Sequence, residues 1–175
     1  SVTLENNTSE VGFNEILKAI KDIEKTSFIF TLPNADMYGN VIIKLIREFC
    51  KKYKNAHYFK SLGQEKFYSL ASKADLFLGN SSSGIIEIPY FNVPIINIGD
   101  RQKGRLSSKS VINCKPNTKD IIRAIMLTKS QKYKTIQRKA SNPYYINGTS
   151  NKSLGIIKRK INKLSVKKKF YDIKF

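Results

Sequence analysis

Short apolar runs alternate with longer stretches whose apolar residues recur every three or four positions, and this alternation confines the chain to a narrow set of folds. Phe13, Ile16, Leu17, Ile20 and Ile23 lie at helical spacing, and the run from Ser27 to Leu32 reads as a strand ended by Pro33. Ile42, Leu45, Ile46, Phe49 and Tyr53 form a second helical stripe, His57 to Lys60 a strand, and Gln64 to Lys73 a third helix. Strands follow at Asp75 to Leu78, Pro94 to Ile98 and Ser110 to Cys114, with a helix over Thr118 to Leu127 that turns Ile121, Ile122 and Ile125 inward. With Val2-Thr3-Leu4 at the start, about six strands are expected in one sheet. Helices between consecutive strands force parallel pairing and cover both faces, so the predicted fold is α/β, a Rossmann-like doubly wound parallel sheet.

The chain has 175 residues and is 41% hydrophobic, enough for one core, and one globular domain is the natural reading. The expected organisation is a lobe over 1–150 and a basic amphipathic helix with a tail over 151–175. No run of about 18 apolar residues occurs and no charged-then-apolar leader opens the chain, so a cytoplasmic location and no membrane partner are expected. Cys50 and Cys114 stand apart and read as reduced, buried thiols. With one histidine and no clustered cysteines, no metal site is expected. His57 stands before Tyr58-Phe59 and reads as a structural histidine.

Chemistry concentrates between residues 79 and 105. Gly79-Asn-Ser-Ser-Ser83 is a turn without bulk after a buried strand, and the stretch from Ser83 to Phe91 is predicted to be a helix. A helix start carries unpaired N–H groups and the positive end of the dipole, which together favour an anion. Ser81 and Ser82 can cap the helix or donate hydroxyls to phosphate oxygens, and small side chains let a ligand approach the main chain. Glu87, acceptor-only when ionised, suits the two adjacent donors of a ribose diol. Beyond the next strand, Arg101, Lys103 and Arg105 supply cationic donors, and a guanidinium matches phosphate with paired hydrogen bonds. These residue types in this order point to a nucleoside diphosphate. A serine-capped helix beside a solvated basic loop is the bland alternative.

The blocks Gly-Asn-Ser-Ser-Ser-Gly-Ile-Ile-Glu (79–87) and Pro-Ile-Ile-Asn-Ile-Gly-Asp-Arg-Gln-Lys-Gly-Arg (94–105) closely resemble the hydrolysing UDP-N-acetylglucosamine 2-epimerases of sialic and related nonulosonic acid biosynthesis. Val-Thr-Leu-Glu (2–5), Phe-Thr-Leu-Pro-Asn-Ala-Asp (30–36), Phe-Lys-Ser-Leu-Gly (59–63) and Asn-Pro-Tyr (142–144) resemble further family blocks in the same order. The resemblance implies one lobe of a GT-B-type two-lobed enzyme, the UDP-binding C-terminal half, with the N-terminal lobe absent. It also implies that Ser81 and Ser82 meet the diphosphate, Glu87 the ribose hydroxyls, Arg101 the phosphate side of the cleft, and Asn34 the nucleotide or sugar. Ser83 is a weaker member of that substrate-binding set.

The implied reaction converts UDP-N-acetylglucosamine, or a 4-acetamido-6-deoxy analogue, and water to the free 2-epimer and UDP, without a cofactor. Elimination of UDP with loss of the C2 proton calls for carboxylates of tuned pKa, which in the family sit mainly in the N-terminal half. No residue here is assigned as catalytic, and Asp36 and Asp100 are left unassigned. Taken alone, the chain is expected to bind UDP and turn over nothing; full-length relatives assemble as homo-oligomers. Two departures stand out. A family histidine precedes the Val-Thr pair where this chain has Ser1, and after Asn-Pro-Tyr the family's glycine-rich turn is replaced by Tyr145-Ile-Asn-Gly-Thr-Ser150. The runner-up is the nucleotide-binding half of a GT-B glycosyltransferase. The nonhydrolysing epimerases carry a Ser-Gly-Gly turn with an acidic pair, unlike Ser-Ser-Ser-Gly-Ile-Ile-Glu.

The rival signal is charge: 32 Lys and Arg against 13 Asp and Glu give +19. Leu154, Ile157, Ile161 and Leu164 with Lys158-Arg-Lys160, Lys163 and Lys167-Lys-Lys169 make an amphipathic pattern with a basic outer face that could meet nucleic acid or anionic lipid. The charge nevertheless runs along the whole chain and accompanies no nucleic-acid-binding motif, so salt-sensitive nonspecific adsorption is expected, with no specific nucleic acid partner.

Overall fold

Strand β4, Ile95–Ile98, is buried at all four positions and organises everything around it. A strand apolar on both sides belongs to a parallel sheet covered on both faces. It pairs in parallel with β3 (Phe77–Gly79) on one side and β5 (Val111–Cys114) on the other. A second parallel pair joins β1 (Phe28–Thr31) to β2 (Ala56–Phe59). The computed structural model of the chain describes residues 8–33, 39–163 and Lys167. It divides into two compact units, Ser1–Tyr144 and Tyr145–Phe175.

Five of the expected strands are present, and Val2-Thr3-Leu4 lies outside the described residues. They form two sheets rather than one, β1-β2 and β3-β4-β5. The two sheets nonetheless share an apolar cluster in which Phe28 and Phe30 of β1 pack with Leu78 of β3 and Ile96 and Ile98 of β4. With strands only three or four residues long, ladder bonds are few and side-chain packing carries the cohesion.

Three helices cover that face. Ala19 and Ile20 come from α1 (Thr8–Ile20), Phe49 from α2 (Gly39–Lys52), and Ile121, Ala124 and Ile125 from α5 (Thr118–Thr128). Phe49 meets Phe28 and Phe30 edge-on and stacks on Tyr53 at 4.3 Å between ring centroids. On the opposite face, Ile95 packs with Ala71 of α3 (Gly63–Ala71), Ile88 and Val93. Alternation along β4 sends Ile96 and Ile98 one way and Ile95 and Asn97 the other.

Helix α6, Gln131–Lys139, is absent from the sequence-based pattern because its outward face is almost wholly basic and polar. Its one buried residue, Tyr133, donates its hydroxyl to the Ser110 carbonyl at 2.8 Å, and the Ser130 side chain caps its first turn. In the second unit α7 runs Thr149–Lys160 and a 3-10 turn continues to Lys163; Leu164 lies outside the described residues.

Glu15 of α1 locks the start of α5. Its Oε2 accepts from the Thr118 amide at 2.9 Å and the Thr118 hydroxyl at 2.6 Å, while Oε1 takes the Lys18 ammonium at 2.6 Å. The Lys18 bond first, then those from Thr118, hold the carboxyl down from 4.5 to about 2. A lowered folded-state pKa means stability that is present above the unfolded value and lost as pH falls through the folded one. Glu15→Gln should therefore flatten the loss of stability between about pH 4.5 and 2, read as urea midpoints by circular dichroism at each pH. An unchanged acid limb would rule the lock out.

Candidate functional site

The turn after β3 lies outside the carboxyl ends of three parallel strands, where open α/β sheets bind ligands. Gly79, the last residue of β3, is in register with Asn97 of β4, and its φ of 153° lets the chain leave the sheet abruptly. The expected helix from Ser83 to Phe91 is shorter than predicted. One α-turn, α4 (Ser83–Ile86), is followed at Glu87 by a 3-10 turn over Ile88–Phe91, because Pro89 has no amide to continue the α ladder.

The donors of that first turn are also mostly engaged within the turn. The Gly84 amide bonds the Ser81 carbonyl at 3.1 Å, those of Ile85 and Ile86 bond the Ser82 carbonyl at 2.9 Å, and the Ser83 amide reaches Ser81 Oγ at 3.4 Å. Ser82 occupies the cap position without a side-chain cap bond. The amides of Ser81 and Ser82 take no part in these bonds. The main-chain donors available to an anion are thus those of the turn itself, rather than the helix start that the sequence suggested.

Gly84 sits where no side chain fits. A Cβ there would lie 2.9 Å from Phe77 Cε1 and 3.2 Å from Cδ1, so the helix start rests directly on the β3 ring. At the far end of α4, Asn142 Nδ2 donates to the Ile86 carbonyl at 2.9 Å and its Oδ1 accepts from the Tyr144 amide at 2.9 Å. The Asn-Pro-Tyr block therefore ties the C-terminal part of this unit to the serine segment.

Glu87 is half-buried at the junction of the two turns. Its Oε1 accepts the Tyr68 hydroxyl at 3.2 Å, and that hydroxyl in turn accepts from Gln64 Nε2 at 3.3 Å. Both partners come from α3, and the Tyr68 ring packs on Phe91 at 5.6 Å. Neither Tyr68 nor Gln64 was legible as a site neighbour, since helical spacing alone does not say which neighbouring element a side chain reaches.

The loop after β4 carries Arg101, Lys103 and Arg105, all exposed. Gln102 between them is buried, and its Nε2 donates to the Asn80 carbonyl at 2.8 Å. On β4, buried Asn97 donates its Nδ2 to Asn113 Oδ1 of β5 at 2.8 Å. The oxygens Gln102 Oε1 and Asn97 Oδ1 are buried without a donor among the described residues. Ser81, Ser82, Ser83 and Glu87 lie on one continuous segment, with Gln102 joining the Arg101 loop to it; Asn34 lies outside the described residues. His57 is exposed on β2, and both cysteines are free thiols pushed up by burial, Cys114 to about 11 with help from Asp120. Among the described residues no acid, histidine or cysteine cluster could hold a metal, and no helix is long and apolar enough to cross a membrane.

Parallel strands covered on both faces, with a small-residue turn, an acid and a basic loop at their carboxyl ends, define a Rossmann-like lobe. Over residues 2–158 the chain matches the UDP-N-acetylglucosamine 2-epimerase family, and it belongs to that family. It is 36% identical over 173 residues to the polysialic acid biosynthesis protein P7 of Escherichia coli, covering 98% of this chain and 44% of that protein. To the GDP/UDP-N,N′-diacetylbacillosamine 2-epimerase (hydrolyzing) of Campylobacter jejuni it is 38% identical over 134 residues, covering 76% of this chain and 34% of that one. The chain thus spans less than half the length of these relatives. Its fold matches that of S. aureus MnaA in complex with UDP, with a TM-score of 0.69 at 17% identity over 95% of this chain and 46% of that one. The Neisseria meningitidis UDP-GlcNAc 2-epimerase bound to UDP-GlcNAc matches with a TM-score of 0.64 at 19% identity, over 86% of this chain and 41% of that one.

Proposed function

We propose that this chain is the UDP-binding, C-terminal half of a hydrolysing UDP-N-acetylglucosamine 2-epimerase serving sialic or related nonulosonic acid biosynthesis in the cytoplasm. The observation that carries the proposal is the serine turn beside Glu87 at the carboxyl ends of parallel strands, in a chain of the epimerase family. The substrate is UDP-N-acetylglucosamine or a 4-acetamido-6-deoxy analogue, the second supported by relatives named for N,N′-diacetylbacillosamine.

In this reading Ser81 and Ser82 offer main-chain and hydroxyl donors to the diphosphate, with Ser83 beside them. Arg101 supplies a planar cation for the phosphates. Glu87 takes the ribose diol, with Tyr68 fixing one carboxylate oxygen, and Asn34 meets the nucleotide or sugar. A lobe over 1–150 binds the nucleotide, and the basic helix and tail of 151–175 follow it. The carboxylates that remove the C2 proton and protonate the leaving group belong to a companion lobe, so this chain alone binds UDP without turnover, and the whole protein assembles as a homo-oligomer. A glycosyltransferase half would share the fold, but family membership favours the epimerase.

Glu87→Ala should weaken UDP binding by about 1–3 kcal/mol, a five- to 150-fold rise in Kd by calorimetric titration. Wild-type protein should lose a similar amount with 2′,3′-dideoxy-UDP, and the variant should no longer tell the two nucleotides apart. Equal wild-type affinities for both would remove the ribose role.

A further inference from the structure

Gln102 is the buried member of a loop whose charged residues are exposed. It is 6% exposed, while Arg101, Lys103 and Arg105 on either side are exposed. Two main-chain bonds fold the loop around it, from the Lys103 amide to the Asp100 carbonyl at 2.9 Å and from the Arg105 amide to the Gln102 carbonyl at 3.2 Å. Its side chain crosses to the serine segment and donates to the Asn80 carbonyl at 2.8 Å.

That acceptor matters because of the peptide plane to which it belongs. The Asn80 carbonyl and the Ser81 amide share one planar trans peptide, so their C=O and N–H bonds point in opposite directions. Holding the oxygen toward buried Gln102 therefore turns the Ser81 N–H away from Gln102. Gly79, immediately before, has a backbone that most side chains would not permit, so the chain turns just ahead of this peptide, whose own orientation is set at ψ of Asn80 and φ of Ser81. Gln102 Oε1 has no donor among the described residues, and the side-chain amide is anchored at the turn through its nitrogen.

We infer that Gln102 is a positioning residue: by holding the Asn80 carbonyl it orients the Ser81 amide toward the diphosphate and keeps the Arg101 loop against the turn. This inference rests on the proposed UDP site. It assigns to Gln102 no contact with the phosphates themselves.

The test is UDP titration of the full chain, as wild type, Gln102→Met and Gln102→Glu, at pH 8 and pH 5, with uridine as the phosphate-free control. Methionine keeps the length but cannot donate, and UDP affinity should fall tenfold or more at both pH values while uridine affinity stays within about twofold. A glutamate donates to a carbonyl only when protonated, and burial raises its pKa. Gln102→Glu should therefore bind UDP weakly at pH 8 and return toward the wild-type value at pH 5, each compared with wild type at the same pH. Loss of UDP and uridine binding in equal measure, or a Glu variant with no recovery at low pH, would reduce Gln102 to a general structural residue. Unchanged UDP affinity in both variants overturns the inference alone, whereas a wild-type chain that does not bind UDP overturns the proposed site with it.

Discussion

Ile96→Ala should lower the unfolding free energy by about 2–5 kcal/mol. Ile96 is 0% exposed and sits on the central strand β4, within the cluster that joins Phe49 of α2, Ile121 and Ile125 of α5 and Ala19 and Ile20 of α1. Losing three carbons removes their transfer free energy and leaves a cavity that β4, bonded to a strand on each side, is poorly placed to close. Domains of this size are stable by about 5–15 kcal/mol, so the loss takes a large share. Urea denaturation followed by circular dichroism gives the number. Ile122→Ala on α5, where the side chain is 40% exposed rather than turned inward as its spacing predicts, serves as the control and should cost well under half as much. Equal losses in the two variants would mean that β4 does not organise the core.

Gly84→Ala should damage stability and ligand binding together. The added methyl would lie 2.9 Å from Phe77 Cε1 and 3.6 Å from Ile95 Cγ2. Phe77 packs against the cluster of Ala71, Ile88, Val93 and Ile95, so its ring has little room to withdraw. Overpacking of this kind costs about 1–3 kcal/mol. Alanine is the better helix former by up to about 1 kcal/mol in a helix interior. That gain is smaller here, because α4 is a single turn and Gly84 stands second in it. The clash should win, and relief comes by moving α4 away from β3, which displaces the serine turn. The expected outcome is a net loss of about 1–2 kcal/mol in urea denaturation with a parallel fall in UDP affinity. A variant as stable as wild type would show that Phe77 can move aside. Weakened UDP binding at unchanged stability would place Gly84 against the ligand instead.

The difference between Glu87 and Tyr68 shows where sequence reading stops. Glu87 stands out because an acid a few residues after a serine turn has a definite chemical use, and its position follows from the local chain. Tyr68 looks like any aromatic on an amphipathic helix, and only the packing of α3 beside the 3-10 turn brings its hydroxyl to the Glu87 carboxylate. Gln102 is similar: amid Arg101, Lys103 and Arg105 it reads as one more polar loop residue, yet it is the one turned inward. Helix α6 escaped because Tyr133 and Ile136 are its only apolar residues, too few among basic and polar neighbours to mark a helical period.

The predicted length of the helix after the serine turn erred for a local reason. Pro89 has no amide to carry the α ladder onward, and that outweighs the apolar residues around it.

From its sequence alone this chain is committed to alternating strands and helices in parallel α/β order, to Ile95–Ile98 as a strand covered on both sides, and to a serine turn followed by an acid and a basic loop. Those properties are local: hydrophobic period, turn chemistry and residue type act within a few positions of the chain. Tertiary structure alone decided that the strands fall into two hydrogen-bonded sets sharing one core, that Gln102 turns inward to the Asn80 carbonyl, and that Tyr68 meets the Glu87 carboxylate. These depend on which surfaces meet across gaps of many residues, where packing geometry rather than spacing in the chain selects the partner.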